Sequence, residues 1–301
     1  MPTSGYTTSP DLTYGAGLTR VLVGLGIAVV EVNRPHPHTR RRRGKSDPIA
    51  AEAAARKVLA GEVNTVPKET RGIVEAIRML RVARGGAVKG RTAVLNQLGE
   101  LLVTAPDALR HQIRTGAKTV AGQAAVCARL RADPRRPWDT EQAAKVALRA
   151  VASRIVALEQ QVRELDEQLD LLVGEAAPRT LGLLGVGTGH AGQLLVTAGQ
   201  NVGRLRSEAA FAHLRGVDPI PASSGKTTRH RLNRGGDRDA NTALHIIAVV
   251  RLRYCPRTRA YAERRTGEGL SKPEILRCLK RYIAREVFRS LQADLGAPNA
   301  S

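Results

Sequence analysis

The chain has 301 residues, which is enough for two or three domains. Its formal net charge of +21 is typical of proteins that bind a polyanion, and aromatic residues at 3% disfavour stacking on unpaired bases as the main binding mode. The sequence contains no signal peptide and no apolar run of membrane-spanning length, so we expect a cytoplasmic protein with no membrane partner.

The N-terminal region, residues 1–62, predicts a small fragment of an α/β layer. Residues 1–10 are expected to be disordered, residues 16–25 can form a short helix, and the β-branched run at 27–32 predicts a buried strand. One strand cannot make a stable sheet, so either further strands come from elsewhere or this part is damaged.

A basic loop and an alanine-rich helix follow the strand. Ser46 or Asp47 can cap this helix, Pro48 suits its first turn, and residues 49–60 continue it. The cations before it are candidate nucleic-acid contacts: Arg34, Arg40, Arg41, Arg42, Arg43 and Lys45.

Residues 63–178 predict a helical region. Helices are expected at 68–84 and 88–103, and Trp138 is expected to pack under the helix that follows it. A strict apolar heptad then predicts a coiled coil at about 140–173. Two partners for it stay open: a second copy in a parallel dimer, which we favour, or the 88–103 helix of the same chain. The heptad positions are Leu148, Val151, Ile155, Leu158, Val162, Leu165, Leu169 and Leu172.

Residues 179–292 predict an all-α domain with a flexible tail at 293–301. A Gly-x-Gly turn at 185–187 enters a helix and resembles helix-hairpin-helix elements; contact with a phosphate and simple helix packing are equally open. An apolar helix is expected at 239–254. The last helix begins with a capping box of Ser271 and Glu274, runs to about residue 291 and carries basic residues on its outer face.

The most informative segment is the basic loop around Ser223 and Ser224, which precede Gly225. A serine that acts on a phosphate backbone would need such surroundings, because glycine permits close approach and cations hold a polyanion. The alternative to a catalytic role is that Ser-Ser-Gly is a common loop tripeptide on a solvated surface. The candidate nucleic-acid contacts here are Lys226, Arg229, His230, Arg231, Arg234 and Arg238.

Two stretches together resemble the insertion sequence 110 family of transposases. The first contains residues 29–35, the basic loop and the helix start Ser46-Asp47-Pro48. The second spans about 181–291 and contains the Gly-Val-Gly turn, the block 209–221, the Ser-Ser-Gly loop and Arg234-Gly235-Gly236.

The resemblance implies a site-specific DNA recombinase of two parts. Four acidic residues of a DEDD ribonuclease-H-like domain would hold Mg²⁺, and a serine of the C-terminal domain would attack DNA and form a covalent link. It assigns Ser224 as the nucleophile, with Ser223 as second choice, and Asp47 as a metal ligand. The implied partners are DNA, a guide RNA and further copies of the chain through the coiled coil.

The chain departs from the family pattern at the acidic site. Ala50 stands where a second aspartate is expected one helical turn after Asp47, and the glutamate position falls near Ser9. A hard cation needs several oxygen ligands, so Mg²⁺ is expected to bind poorly. We therefore expect an N-terminally truncated, catalytically defective transposase, with an upstream start codon as the rival explanation. The alternative function is a non-catalytic, basic, oligomeric nucleic-acid-binding protein.

Overall fold

The computed structural model describes residues 5–7, 12–32, 46–63, 66–200, 207–221, 230–231, 233 and 235–296. The chain forms two compact units: residues 1–76 with 176–301 make one, and residues 77–175 make the other. Helices dominate both units, so the prediction of a mainly α protein is confirmed.

A small parallel sheet lies in the N-terminal region. Strands β1 (Gly5–Thr7) and β2 (Val29–Glu31) pair directly, and helix α1 (Leu12–Gly24) is the crossover between them. The expectation of disorder at residues 1–10 is therefore wrong for 5–7, where three residues are too few for a periodic pattern to show. The predicted strand has a partner within the chain, because β1 supplies it. The ribonuclease-H-like relationship stays a prediction.

Helix α2 (Asp47–Leu59) begins where the sequence predicts it. Ser46 is the N-cap residue by its extended backbone, although its side chain makes no capping hydrogen bond, and Pro48 lies in the first turn. The carboxylate of Asp47 suits the positive end of the helix dipole. The basic residues before this helix lie outside the described residues: Arg34, Arg40, Arg41, Arg42, Arg43 and Lys45.

The second unit is built on a long helical hairpin. Helix α3 (Ile73–Thr104) is continuous, so the prediction of separate helices at 68–84 and 88–103 is wrong. Gly85 and Gly86 lie within it, at a cost of about 1 kcal/mol each relative to alanine. Burial of the flanking apolar side chains, such as Ile77 and Val94, offsets that cost and keeps the helix intact.

Helix α6 (Thr140–Ala176) runs antiparallel to α3 within this unit. Arg84 Nη2 donates to Asp166 Oδ2 at 3.1 Å, and Arg84 Nε donates to the other carboxylate oxygen. Further along, the position of Gly90 lies beside the Leu158 side chain. The later residue of α3, Gly90, meets the earlier residue of α6, Leu158. This order shows that the two helices are antiparallel.

Helices α4 (Asp107–Gly116) and α5 (Val120–Ala128) close the core at one end of the hairpin. Leu148, Val151 and Ile155 of the heptad are buried in this core and Leu158 packs against it, so the first half of the stripe has its partner within the same chain. At these positions the structure shows the intramolecular packing, and the parallel dimer favoured from sequence stays a prediction for the rest of the stripe. The core side chains include Val94, Leu98, Leu102, Leu109, Ile113, Leu148, Val151 and Ile155.

Trp138 does not pack under the next helix. Its side chain is 80% exposed in the turns before α6, where Arg136 pairs with Asp139 instead. The two prolines at 134 and 137 shape these turns and carry the indole away from the core.

The C-terminal part of the first unit is a helical cluster with one short ladder, so the prediction of a purely α domain is wrong in that detail. Its elements are α7 (Pro178–Leu181), α8 (Thr188–Ala198), α9 (Glu208–Leu214), β3 (Ile220–Pro221), β4 (His230–Arg231), α10 (Arg238–Tyr254), α11 (Pro256–Gly267) and α12 (Lys272–Leu295). Helices α10 and α12 pack against each other at its centre, and α8 and α9 cover them.

Helix α12 confirms the capping box and extends beyond its predicted end. The Ser271 backbone N–H donates to Glu274 Oε2 at 2.9 Å. At the other end, Asp294 accepts hydrogen bonds from the backbone N–H of Arg179 and Thr180, both at 3.0 Å. Residues 293–295 are therefore ordered helix rather than the start of a flexible tail, and 297–301 lie outside the described residues.

The Gly-x-Gly turn enters α8 as predicted, but α7 before it is only one turn long. Gly185 has a φ of +83°, and a Cβ there would lie 3.2 Å from Val250 of α10. Helix packing therefore explains Gly185. No described helix is both long enough and apolar enough to cross a bilayer.

Replacement of Ile155 by alanine tests the intrachain hairpin. The side chain is fully buried between α3 and α6, so Ile155→Ala should lower the free energy of unfolding by about 2–5 kcal/mol. Val156 is exposed on the same turn, and Val156→Ala should change it by less than about 0.5 kcal/mol. Chemical denaturation of both variants measures this. A melting midpoint that rises with protein concentration would instead place a second chain on the stripe.

Candidate nucleic-acid interface

The ladder of β3 and β4 brings together the two ends of the serine-bearing loop. Ile220 lies opposite Arg231, and Pro221 lies opposite His230, in antiparallel register. Residues 222–229 connect these strands and lie outside the described residues, as do Ser223, Ser224, Lys226 and Arg229 within them. The chain therefore leaves the ladder and returns to it at one place on the surface.

A groove of about 880 Å³ opens beside this ladder. One side is the chain that leads into and out of the loop, including Asp218, His230 and Arg231. The other side is formed by α12 and the end of α11. The cations of that second side are Arg265, Arg277, Lys280, Arg281 and Arg285.

The groove carries an excess of positive charge. Among the residues that the structure describes, six lysine and arginine residues line it against two carboxylates, those of Asp218 and Glu274. Both carboxylates have other partners, because Asp218 lies 3.4 Å from His213 Nδ1 and Glu274 caps α12. Such an excess in a concave surface concentrates field lines and favours a polyanionic ligand.

Glu208 at the start of α9 fixes two of these arginines. Its carboxylate lies 2.8 Å from Arg281 Nη1 and 2.9 Å from Arg285 Nε. The hydrogen bond from Arg285 is the main cause that lowers the pKa of Glu208, so the carboxylate stays ionised. One negative charge between two guanidinium groups orders them and leaves a net positive charge on the wall.

Lys280 is the buried cation of the groove. Its side chain is 8% exposed, and its Nζ donates to Asn241 Oδ1 at 2.9 Å. Burial lowers the pKa of Lys280, and the nearby charge of Arg277 lowers it further. Asn241 is itself fixed, since its Nδ2 donates to the carbonyl oxygens of Arg215 at 2.9 Å and Gly216 at 3.0 Å.

Arg215 anchors the chain that enters the groove. Its side chain is fully buried, stacks over the Phe211 ring at 3.1 Å and donates through Nη2 to the Leu194 carbonyl oxygen at 2.9 Å. Burial lowers the pKa of the guanidinium well below its usual value, and the charge of Asp237 opposes that effect. Asp237 also caps α10, and it accepts a hydrogen bond from Thr197 Oγ1 at 2.7 Å.

Two glycines allow the incoming and outgoing chains to touch. Gly216 has a φ of +62°, which suits glycine. A Cβ on Gly236 would collide with the backbone of Gly216 and would lie 2.6 Å from the Arg215 carbonyl carbon. Between the ladder and this contact, Asn233 is buried, and its Oδ1 accepts a hydrogen bond from the Gly235 N–H at 2.9 Å. We name the contact of residues 215–216 with 236–237 the glycine clamp.

The predicted contact residues divide into three groups. His230 and Arg231 line the groove, whereas Arg238 is exposed at the start of α10 and is not part of the lining. Arg234 lies outside the described residues. The sequence predicts basic residues on the outer face of α12 but does not place them in a site. The spacing of Arg277, Arg281 and Arg285 by four residues, one face of a helix, was the available signal.

Asp47 lies far along the sequence from this groove, exposed in the first turn of α2. Ala50, one turn later, offers a methyl group where the metal site implied by the resemblance needs a carboxylate. Among the described residues, no three side chains of His, Cys, Asp or Glu come together as metal ligands. The described surroundings of Asp47 therefore do not fit Mg²⁺, which prefers several oxygen ligands.

Comparison with known proteins points to mobile genetic elements. Residues 180–263 match the family model described as Transposase IS116/IS110/IS902 family. A protein of Streptomyces coelicolor, described as Insertion element IS110 uncharacterized 43.6 kDa protein, is 28% identical over 151 residues. That match covers 49% of this chain and 37% of the relative. The matched family segment contains the glycine clamp and the ladder, whereas the groove cations of α12 follow it.

Alanine at the two adjacent glycines tests the glycine clamp. Gly236→Ala forces two backbones apart and should lower the free energy of unfolding by about 1–3 kcal/mol. Gly235→Ala is the matched control, because its Cβ would meet only Asn233 Oδ1 at an ordinary 3.4 Å. Thermal unfolding of the two variants gives the comparison, and equal destabilisation would show that the chains do not touch there.

Proposed function

We propose that the chain is a DNA-binding transposase of an insertion sequence, whose C-terminal region presents Ser224 to a DNA phosphodiester at the basic groove. One observation carries this proposal: the ladder of β3 and β4 tethers both ends of the serine-bearing loop to a groove whose described lining contains six lysine and arginine residues. The family match over residues 180–263 supports the same conclusion.

The positive charge of the groove favours DNA as its ligand. Each phosphate held by a lysine or arginine releases counterions, which makes a concave cationic surface an effective site for a duplex backbone. The arginines fixed by Glu208 are pre-organised, so little side-chain freedom is lost on binding. Phosphate contacts of this kind position the DNA and carry no base sequence information.

The proposed chemistry at Ser224 is phosphoryl transfer. Its Oγ loses a proton and forms a bond to phosphorus, while the bond from phosphorus to one deoxyribose oxygen breaks and that oxygen takes up a proton. The phosphodiester is thereby exchanged for a serine–phosphate ester, which a second strand can reverse. Ser223 is the second choice for the nucleophile.

Activity is proposed to be weak in this chain. A serine hydroxyl has a high pKa and needs a base or a metal to become a nucleophile. A bound Mg²⁺ would supply that activation in relatives that retain the acidic residues, but Ala50 leaves Asp47 without its neighbouring carboxylate. We further propose a guide RNA and, through the coiled coil, further copies of the chain as partners.

The second candidate is a non-catalytic DNA-binding protein. It rests on the same groove and on the loss of the carboxylate at residue 50. It needs no role for Ser224, so the two candidates separate on whether a covalent product forms.

A covalent adduct assay separates them. Purified protein is incubated with end-labelled duplex DNA, and adducts that survive denaturation are resolved on a gel. We expect a trace adduct, an increase in Ala50→Asp, and loss of the adduct in Ser224→Ala. Ser153→Ala is the control, because this serine is exposed in the other unit.

Two results would count against the proposal. An adduct that persists in Ser224→Ala would exclude this nucleophile. Normal DNA binding with no adduct in any variant would favour the non-catalytic protein.

A further inference from the structure

We propose that the groove contains one discrete phosphate subsite, with the buried Lys280 ammonium as its anchor and Arg277 as a second donor. The ligand class is a nucleic-acid phosphodiester, an identification that rests on the proposed function. Lys280 would be a positioning residue, which fixes the strand beside the loop that holds Ser224.

Lys280 has no counter-charge among the described residues. Lys280 is more than nine-tenths buried, and its partner is the neutral amide oxygen of Asn241. Among the described residues, no carboxylate lies within ion-pair distance of its Nζ. A buried ammonium without an opposing charge is costly, and this one also faces the charge of Arg277.

The carboxylates near Lys280 already have other partners. Glu208 holds Arg281 and Arg285, and Glu268 pairs with Arg265. Of the two carboxylates in the described groove lining, Asp218 lies beside His213. Glu274 caps α12 and lies 3.9 Å from Arg277 Nη2, which leaves the other donors of that guanidinium for a ligand. The described part of the chain thus supplies no anion for Lys280, and an external anion would complete the site.

Asn241 holds the Lys280 ammonium in one orientation. Asn241 Nδ2 is used by two backbone carbonyl oxygens, which turns Oδ1 toward Lys280 and fixes the ammonium. An ammonium has three donors, and one is used here. The remaining donors and the Arg277 guanidinium suit the several oxygens of a phosphate better than the two oxygens of a carboxylate.

The position of Lys280 connects the subsite with the serine-bearing loop. The hydrogen bonds of Asn241 link Lys280 to the carbonyl oxygen of Gly216, which begins the chain that leads into β3. The same groove is lined by His230 and Arg231, where the chain returns. A phosphate on Lys280 would therefore lie beside both ends of the loop.

A titration with inorganic phosphate tests the subsite without any DNA chemistry. Thermal unfolding of the full chain is followed against phosphate concentration at constant ionic strength. We expect a saturable rise in melting temperature for the native protein. In Lys280→Gln the apparent affinity for phosphate should fall by about ten- to hundredfold, as for loss of a charge-assisted hydrogen bond.

Two variants control for charge and folding. Lys272→Gln removes the same charge from an exposed position on the same helix and should leave the affinity unchanged. Lys280→Arg keeps the charge and should retain most of the binding. If Lys280→Gln does not fold, amine labelling of the native protein replaces it: phosphate should slow the labelling of Lys280 and leave that of Lys272 unchanged.

The outcomes separate the possible ligands. Displacement of phosphate by duplex DNA supports the phosphodiester subsite. Saturable phosphate binding that duplex DNA does not displace indicates a site for free phosphate, and displacement by polyglutamate alone indicates an acidic protein; either would overturn the proposal. Equal losses in Lys280→Gln and Lys272→Gln would show only a general effect of charge. A subsite that survives in a protein forming no Ser224 adduct would contradict the proposed chemistry and leave the subsite standing.

Discussion

The close contact of two backbones at Gly216 and Gly236 is the constraint on which the basic groove depends. It closes a segment of about twenty residues, from 216 to 236, so that the chain entering the serine-bearing loop meets the chain leaving it. Arg215 holds one side from within the core, through Phe211 and the Leu194 carbonyl oxygen. Asp237 holds the other side by capping α10 and binding Thr197. The chain on both sides of the loop is therefore anchored to three helices, α8, α9 and α10.

The groove beside this contact contains two arginines that are paired with a carboxylate and one lysine that is not. Arg281 and Arg285 are ordered by Glu208, and Lys280 is ordered by a neutral asparagine. A protein stabilised only for its fold would gain by replacing a buried, unpaired lysine with an apolar residue. An anion bound at Lys280 would offset the cost of burying its charge, which is the physical basis for linking the groove to a phosphate backbone.

Local patterns predicted the parts of this structure that local forces determine. The capping box at Ser271 and Glu274, the proline-led start of α2 and the heptad of α6 all depend on neighbours within a few turns. The partner of the heptad could not be predicted, because an apolar stripe is satisfied equally by another chain or by α3. The helix break expected between residues 84 and 88 is absent from the structure, because packing of the hairpin outweighs the low helix propensity of Gly85 and Gly86.

The candidate site was predictable only in outline. The Ser-Ser-Gly loop and its cations drew attention to residues 221–238, and His230 and Arg231 do line the groove. The wall that faces them comes from α12, whose Arg277 and Lys280 are about fifty residues further along the chain. Two features depend on tertiary contacts and cannot be predicted from the local sequence. They are the burial of Lys280 and the collision that excludes a side chain at Gly236.

The salt dependence of duplex DNA binding tests most directly whether the groove is the nucleic-acid interface. The double variant Arg231→Gln with Arg277→Gln removes two charges from the groove lining, while Arg257→Gln with Arg259→Gln removes two from exposed positions of α11 outside it. The log–log slope of affinity against salt should become shallower by about 1.8 in the first double variant, at about 0.9 per phosphate contact, and should stay unchanged in the second. Equal slopes in the two double variants would contradict the account.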